Sequence, residues 1–334
     1  MLGHFLPRHA LAATLLIVFS VQGFAATGKR VVLPDSVTPL AYRIDFTPDI
    51  GALTFKGTVE IDVQVNRPTH TFELNAADLV IDNVVLAGEP NKPAVSLDDK
   101  IQTVTFTFDH PVTTGAHTLK IAYHGRIYQS ASGLFALDYQ DPRGGKAPAR
   151  ALFTQFENSD ARRFVPCWDE PGIKSTFELT ATLPAGLMPL SNMPVAGTDP
   201  LPHGLQRVRF AKSPKMSTYL LFFGAGDFER VHRTVAGVDV GIVVKHGDTA
   251  HAAYALDAAV QLLPFFNDYF GVPYPLPKLD LIAGPGSSQF FGAMENWGAI
   301  FYFEYFLLID SRISTQTDQQ SVYSVIAHEM AHQW

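Results

Sequence analysis

Val322-Tyr323-Ser324-Val325-Ile326-Ala327-His328-Glu329-Met330-Ala331-His332 is the stretch from which the rest of the chain can be read. Val322, Val325, Ile326 and Ala327 fall at helical spacing, so the segment reads as a helix whose apolar face leads into His328. Residues four apart share one helical face, with Cβ atoms about 5–6 Å apart, and two imidazoles so spaced can reach one zinc ion at about 2.0–2.1 Å. Glu329, turned round the axis, is set to take a proton from water activated by that ion and to pass it on to a leaving amine. The H-E-x-x-H pattern therefore marks His328 and His332 as candidate metal ligands and Glu329 as candidate general base. The bland alternative is chance: with 12 histidines in the chain, such a pattern arises somewhere with a probability on the order of a few per cent.

Working back from this helix, which is expected to begin near Thr317, an aromatic strand is predicted over Ile300 to Leu307, preceded by a glycine-rich turn and a strand at Leu279 to Ala283. Tyr254, Ala258, Leu262, Phe265 and Tyr269 carry a helical spacing over Ala250 to Phe270, and Gly271 and Pro273 stop it. Val238 to Val244 reads as one more strand. This mixed order predicts an α/β domain over residues 236–334.

The earlier part has a different texture. Tyr42, Ile44 and Phe46 alternate, as do Val59, Ile61, Val63 and Val65; Val104, Phe106 and Phe108; Leu119, Ile121 and Tyr123; and Tyr219, Leu221 and Phe223. Period-two alternation predicts half-buried strands, and turn residues such as Pro142, Gly144, Gly145 and Pro148 separate them. Residues 33–231 are thus expected to form an all-β domain.

At 334 residues and 47% apolar content, the chain is long enough to bury a large core in two domains. A net charge of −7 without a basic stripe argues against nucleic acid as a partner. Arg8 and His9 precede an uncharged apolar run from Ala10 to Ala26 that closes on small residues, which reads as a signal peptide over residues 1–26 and an exported product, periplasmic or secreted. The alternative is an uncleaved membrane anchor, although the run is short for a bilayer; no later segment is expected to span one. The single cysteine, Cys167, allows no internal disulfide and reads as a buried structural thiol.

Gly292 to Asn296, reading GAMEN, precede the aromatic strand, and with HEMAH at 328–332 they resemble the zinc aminopeptidases of the aminopeptidase N type, within the gluzincins. TQFE at 154–157, DARR at 160–163 and PCWDEPG at 166–172 agree, so the likeness runs from about Leu33 to Trp334. The resemblance implies an α+β fold: an N-terminal all-β, saddle-like domain, then the first part of a thermolysin-like α/β catalytic domain. It implies that Gly292, Ala293, Met294, Glu295 and Asn296 form an edge strand along which a peptide lies. The physics of such a strand agrees, since Gly292 has no side chain to obstruct approach and an edge offers free N–H and C=O groups.

By the same resemblance Glu295 binds the free α-amino group of a peptide substrate, Glu157 is a second amine-binding carboxylate, and Gln155 lines the pocket for the first side chain. One Zn2+ is implied. Its third protein ligand, a glutamate, would lie beyond Trp334, as would a tyrosine stabilising the oxyanion and a large helical domain. The last helix ends without a glycine, asparagine or proline stop, which reads as truncation. The expected function is hydrolysis of the N-terminal residue from peptides with a free N-terminus. The alternatives are a catalytically silent peptide-binding fragment, a thermolysin-like endopeptidase and the family's epoxide-hydrolysing relative. Arg162 and Arg163 are expected to pair with Asp169 or Glu170, and the run Phe301, Tyr302, Phe303, Tyr305 and Phe306 to be core.

Overall fold

Alternation works as expected along the first two strands, Val37–Asp49 and Thr54–Val65, where Tyr42, Ile44, Phe46, Val59, Ile61, Val63 and Val65 are all buried. Arg43 lies on the other face and grips Asp62 of the paired strand at 2.6 Å. These observations come from a computed structural model describing residues 32–141, 143–288 and 291–334. The leader or anchor expected over residues 1–26, and Pro142 of the expected loop, lie outside the described residues.

Strands between Val37 and Gly226 build three sheets. The largest pairs Val37–Asp49 antiparallel with Thr54–Val65 and parallel with Lys174–Pro184. A three-stranded sheet is made from Thr69–Asn75, Ala94–Asp98 and Thr103–Val112, and a four-stranded one from Gly133–Tyr139, Ala149–Gln155, Met188–Ser191 and Phe223–Gly226. Aromatic side chains fill the space between them, including Tyr42 stacked on Phe177 at 4.9 Å and Phe46 edge-on to Phe164 at 5.0 Å. Cys167 is fully buried, and burial pushes its thiol well above the ordinary range, which suits a packing role.

The fourth sheet runs Phe228–Val235, Val238–Lys245, Lys278–Gly284, Ala299–Phe303 and Ala293–Met294, antiparallel at both ends and parallel in the middle. Helix α1, Ala253–Phe270, makes the first parallel crossover that such pairing requires. Phe228–Val235 pairs with Val238–Lys245 along its whole length, so the change of sheet falls between Gly226 and Phe228 without a linker. Phe135, Phe153, Phe222, Phe228, Phe301 and Phe303 form one apolar cluster between the four-stranded and five-stranded sheets. The fold is α+β, as expected.

Local expectations differ from the structure at four places. Helix α1 begins at Ala253 after a 3-10 turn over Thr249–His251, and Phe265 and Tyr269 face outward, 56% and 70% exposed, stacked on each other at 5.9 Å. Phe265 and Phe266 are neighbours, so only one can point inward, and it is Phe266 that joins Ala255, Ala259 and Leu263 in the core. The aromatic strand stops at Phe303 because Glu304–Phe306 turns as 3-10 helix, with Glu304 held by Lys245 at 2.7 Å. Phe301, Tyr302 and Phe303 are core, whereas Tyr305 is 72% exposed.

Tyr219, Leu221 and Phe223 do not share a strand either, since Thr218–Leu220 is a 3-10 turn closed by Leu221 N–H donating to the Thr218 carbonyl at 3.1 Å. The Thr218 hydroxyl donates to the Trp168 carbonyl and pins the turn, a side-chain competitor that alternation does not register. Arg162 pairs with Asp169 at 2.9 Å, but Arg163 pairs with Asp160 at 2.7 Å and Asp78 at 2.6 Å. No helix among the described residues is long and apolar enough to cross a membrane.

Candidate active site

Helix α2, Gln316–Ala331, starts on a reciprocal cap: the Thr315 hydroxyl accepts from Asp318 N–H at 3.2 Å, and Thr315 N–H donates to the Asp318 carboxylate at 2.7 Å. Val322, Ile326 and Met330 bury one face of it in the core shared with α1. That anchoring turns Glu329 inward, 6% exposed, and leaves His328 and His332 on the accessible side. Their Nε2 atoms stand 3.2 Å apart. Two ligand nitrogens of a tetrahedral zinc stand about 3.3 Å apart when each bond is about 2.05 Å, so the imidazole pair fits such an ion. Among the described residues no third histidine, cysteine or carboxylate is placed to complete a metal-holding group with them.

The carboxyl of Glu329 is raised to about 8, first by burial and then by the carboxylates of Glu295 and Glu157. Its Oε2 is buried without a hydrogen-bond partner in the protein.

Ala293–Met294 forms the short outermost strand of the fourth sheet, paired only with Phe301 and Tyr302. Phe303 N–H donates to the Gly292 carbonyl at 3.0 Å and extends this pairing. A Cβ at Gly292 would come within 3.1 Å of the Phe306 ring, so the glycine also lets that ring pack. Gly292, Ala293, Phe306, His328 and Glu329 line one cleft of about 330 Å³. A larger hollow of about 700 Å³ along the N-terminal half of α2 includes neither histidine of the pair.

Beyond Met294 the chain turns, and Glu295 is half-buried while Asn296 is fully buried with neither side-chain amide atom paired. Gln155 ends the strand Ala149–Gln155, buried, with Oε1 also unpaired. Glu157, two residues on, is exposed; partial burial of its carboxyl and then Glu295 raise its pKa, while His332 opposes them. Glu157, Glu295, Glu329 and His332 therefore share one electrostatic neighbourhood. Among the described residues no lysine or arginine forms an ion pair with any of the three glutamates.

Four residues that motif reading passed over hold this arrangement together. Gln333, 3% exposed, donates from Nε2 to the Glu295 carbonyl at 3.1 Å and accepts at Oε1 from Gly298 N–H at 2.9 Å, while its own carbonyl accepts from the Trp297 indole at 3.1 Å. Helix α2 and the 295–298 turn are thereby tied at the residue after His332, and that adjacency is the one signal that could have drawn attention to it. Asn192 donates to the carbonyls of Leu220 and Trp297 at 2.7 and 2.9 Å. Lys278, buried, donates to the Gly298 carbonyl at 2.7 Å and pairs with Asp280 at 2.9 Å; burial lowers its pKa. Tyr219 donates its hydroxyl to Glu295 Oε1 at 3.1 Å. No local pattern marks the last three.

Gly298 is needed where these bonds converge. It has φ +77°, and a Cβ there would meet the Asn192 carbonyl oxygen at 2.6 Å and Leu276 at 2.8 Å. Gly298→Ala is expected to cost about 2–4 kcal/mol, the sum of left-handed backbone strain and overpacking. Urea unfolding checks this, and a midpoint equal to the parent's would refute it.

The peptidase M1 N-terminal domain family matches residues 38–220, and the peptidase family M1 domain matches residues 254–334. Among relatives, Aminopeptidase N of Acetobacter pasteurianus is 43% identical over 317 residues, covering 95% of this chain and 87% of that protein. Aminopeptidase M1-B of Oryza sativa subsp. japonica is 38% identical over 307 residues, 90% of this chain and 34% of its own. Puromycin-sensitive aminopeptidase of Caenorhabditis elegans is 34% identical over 325 residues, 94% of this chain and 34% of its own. The chain belongs to peptidase family M1. It spans about a third of the length of the plant and nematode relatives.

Proposed function

We propose that this chain carries the amine-recognition strand and two zinc ligands of an aminopeptidase that removes the N-terminal residue from peptides. The observation that carries the reading is the meeting of Glu157, Glu295 and Glu329, without a lysine or arginine partner among the described residues, beside two converging imidazoles. Like charges so close disfavour one another unless a cation joins them. A peptide's α-ammonium is such a cation, and an internal peptide amide is not, so the acidic group favours exopeptidase over endopeptidase action.

In this reading His328 and His332 hold the zinc, and a third ligand comes from outside the described residues, since a catalytic zinc has three protein ligands. When bound, zinc polarises a carbonyl and acidifies water. Glu295 and Glu157 fix the ammonium. The free edge at Ala293–Met294 takes the substrate backbone by strand addition. Gln155, whose buried Oε1 is unpaired, lines the pocket for the first residue, and Asn296 closes the recognition strand. Glu329 takes a proton at its carboxylate and returns it to the leaving amine.

The test is cleavage of a tripeptide with a free amino terminus beside its N-acetyl form, using the full-length protein that includes the third ligand. Hydrolysis of the free peptide alone is expected, and equal rates would overturn the proposal. Glu295→Gln is expected to raise KM for the free peptide roughly 10–100-fold, the loss of a charge-assisted hydrogen bond, with a smaller effect on kcat. An unchanged KM would remove Glu295 from amine binding.

A further inference from the structure

The turn that carries Tyr219 is fixed from several sides. Met216–Ser217 pairs with Lys174 and Ser175, and the Ser217 hydroxyl donates to the Pro171 carbonyl at 2.6 Å. Thr218 is bonded to Trp168 at 2.9 Å. On the exit side, Phe222 N–H donates to Asn192 Oδ1 at 2.8 Å, while Asn192 Nδ2 donates to both Leu220 and Trp297 carbonyls. Asn192 is 2% exposed, so this bridge ties the Tyr219 turn to the 295–298 turn inside the protein. From the opposite side Gln333 holds the Glu295 carbonyl.

Both ends of the Tyr219–Glu295 hydrogen bond are thus attached to backbone that is held independently of it. The bond itself spans 76 positions of sequence and engages only Oε1. Among the described residues Oε2 has no bonded partner, and the second carboxylate, Glu157, lies close enough to be felt by both side chains. A carboxylate on a half-buried side chain has several rotamers, and fixing one of them in advance reduces the ordering cost of binding a cation.

We infer that Tyr219 is a positioning residue for amine recognition: its hydroxyl clamps one oxygen of Glu295 so that the other faces the ammonium of the substrate. The inference rests on the reading of Glu295 as the amine-binding carboxylate. Partial burial and then Glu295 push the phenol up to about 12, so it stays a donor wherever a peptide amine is charged. Phenylalanine would keep the ring and its packing against the β core while removing the donor.

The experiment is steady-state kinetics of the full-length protein on alanine p-nitroanilide for the parent, Tyr219→Phe, Glu295→Gln and the double variant. Tyr219→Phe is expected to raise KM about 5–10-fold with kcat within about twofold, the scale of one ordinary net hydrogen bond. In the Glu295→Gln background the same change is expected to have no further effect on KM, because the two residues act through one bond. An unchanged KM in Tyr219→Phe, or an equal rise in both backgrounds, would overturn the clamp while leaving Glu295 in its role. An unchanged KM in Glu295→Gln would overturn the reading of Glu295 and the clamp with it. A purely structural tyrosine would instead lower kcat and the melting temperature together, and that result too would overturn the inference.

Discussion

Replacing Glu329 by glutamine in the full-length protein is expected to cut kcat by roughly 10²–10⁴-fold, the usual contribution of a positioned general base, while zinc content stays at the parent level. The substitution keeps the shape and removes the proton acceptor. Glu329 is 6% exposed, its Oε2 has no protein partner, and it sits one residue from His328 on a helix anchored by Val322, Ile326 and Met330. Nothing in the fold depends on its charge; the neighbouring Glu295 and Glu157 in fact oppose it. Kinetics beside metal analysis check the claim. Full turnover with zinc bound would remove Glu329 from the base role, whereas loss of zinc would show that it supports the imidazoles instead.

The largest expected effect on stability is at the Arg162–Asp169 pair. Asp169 has no side-chain exposure, Arg162 is 14% exposed, and they meet at 2.9 Å. Arg162→Met keeps the bulk and strips the paired cation from a buried acid, which is expected to cost about 3–5 kcal/mol. The penalty depends on pH with a definite sign. Burial raises Asp169 from 3.8 to about 6 against the opposing pull of Arg162. A carboxyl raised on folding stabilises the native state most below pH 3.8, and that contribution is lost as pH rises through about 6. Removing the guanidinium pushes the carboxyl higher still, so the variant is expected to lose less at pH 5 than at pH 8. Thermal unfolding at the two values measures it, and equal losses would show that the acid does not need its partner's charge.

Those two sites were not equally legible in the residues alone. Glu329 announces itself because it stands inside a motif whose spacing is the helical turn. Arg162 could be read as part of an ion-pair network with Asp169, and it is, but Arg163 went instead to Asp160 and to Asp78, a bend residue 85 positions away. The same contrast appears in the helices. Gly271 ends α1 in the left-handed conformation that its lack of Cβ permits, φ 68°, as its position suggested. Phe265 and Tyr269 fit the helical period equally well and yet face outward, because period alone does not say which stripe meets the sheet. Tyr219 was read as one of three alternating strand residues. Hydrogen bonds from Ser217 and Thr218 to distant carbonyls bend that segment into a turn and send the phenol to Glu295.

What the amino-acid order determined by itself is the local chemistry: two imidazoles on one helical face with an acid beside them, alternating strands, and a glycine-opened segment before the aromatic strand. Each follows from covalent geometry repeated over a few residues, 3.6 per helical turn or two per strand pleat. Only the tertiary structure decided that Glu157, Asn192, Tyr219 and Gln333 close on the 295–298 turn. Those meetings depend on how separate sheets and helices pack, through burial shared across the whole core, and no short window of sequence contains both partners of any such contact.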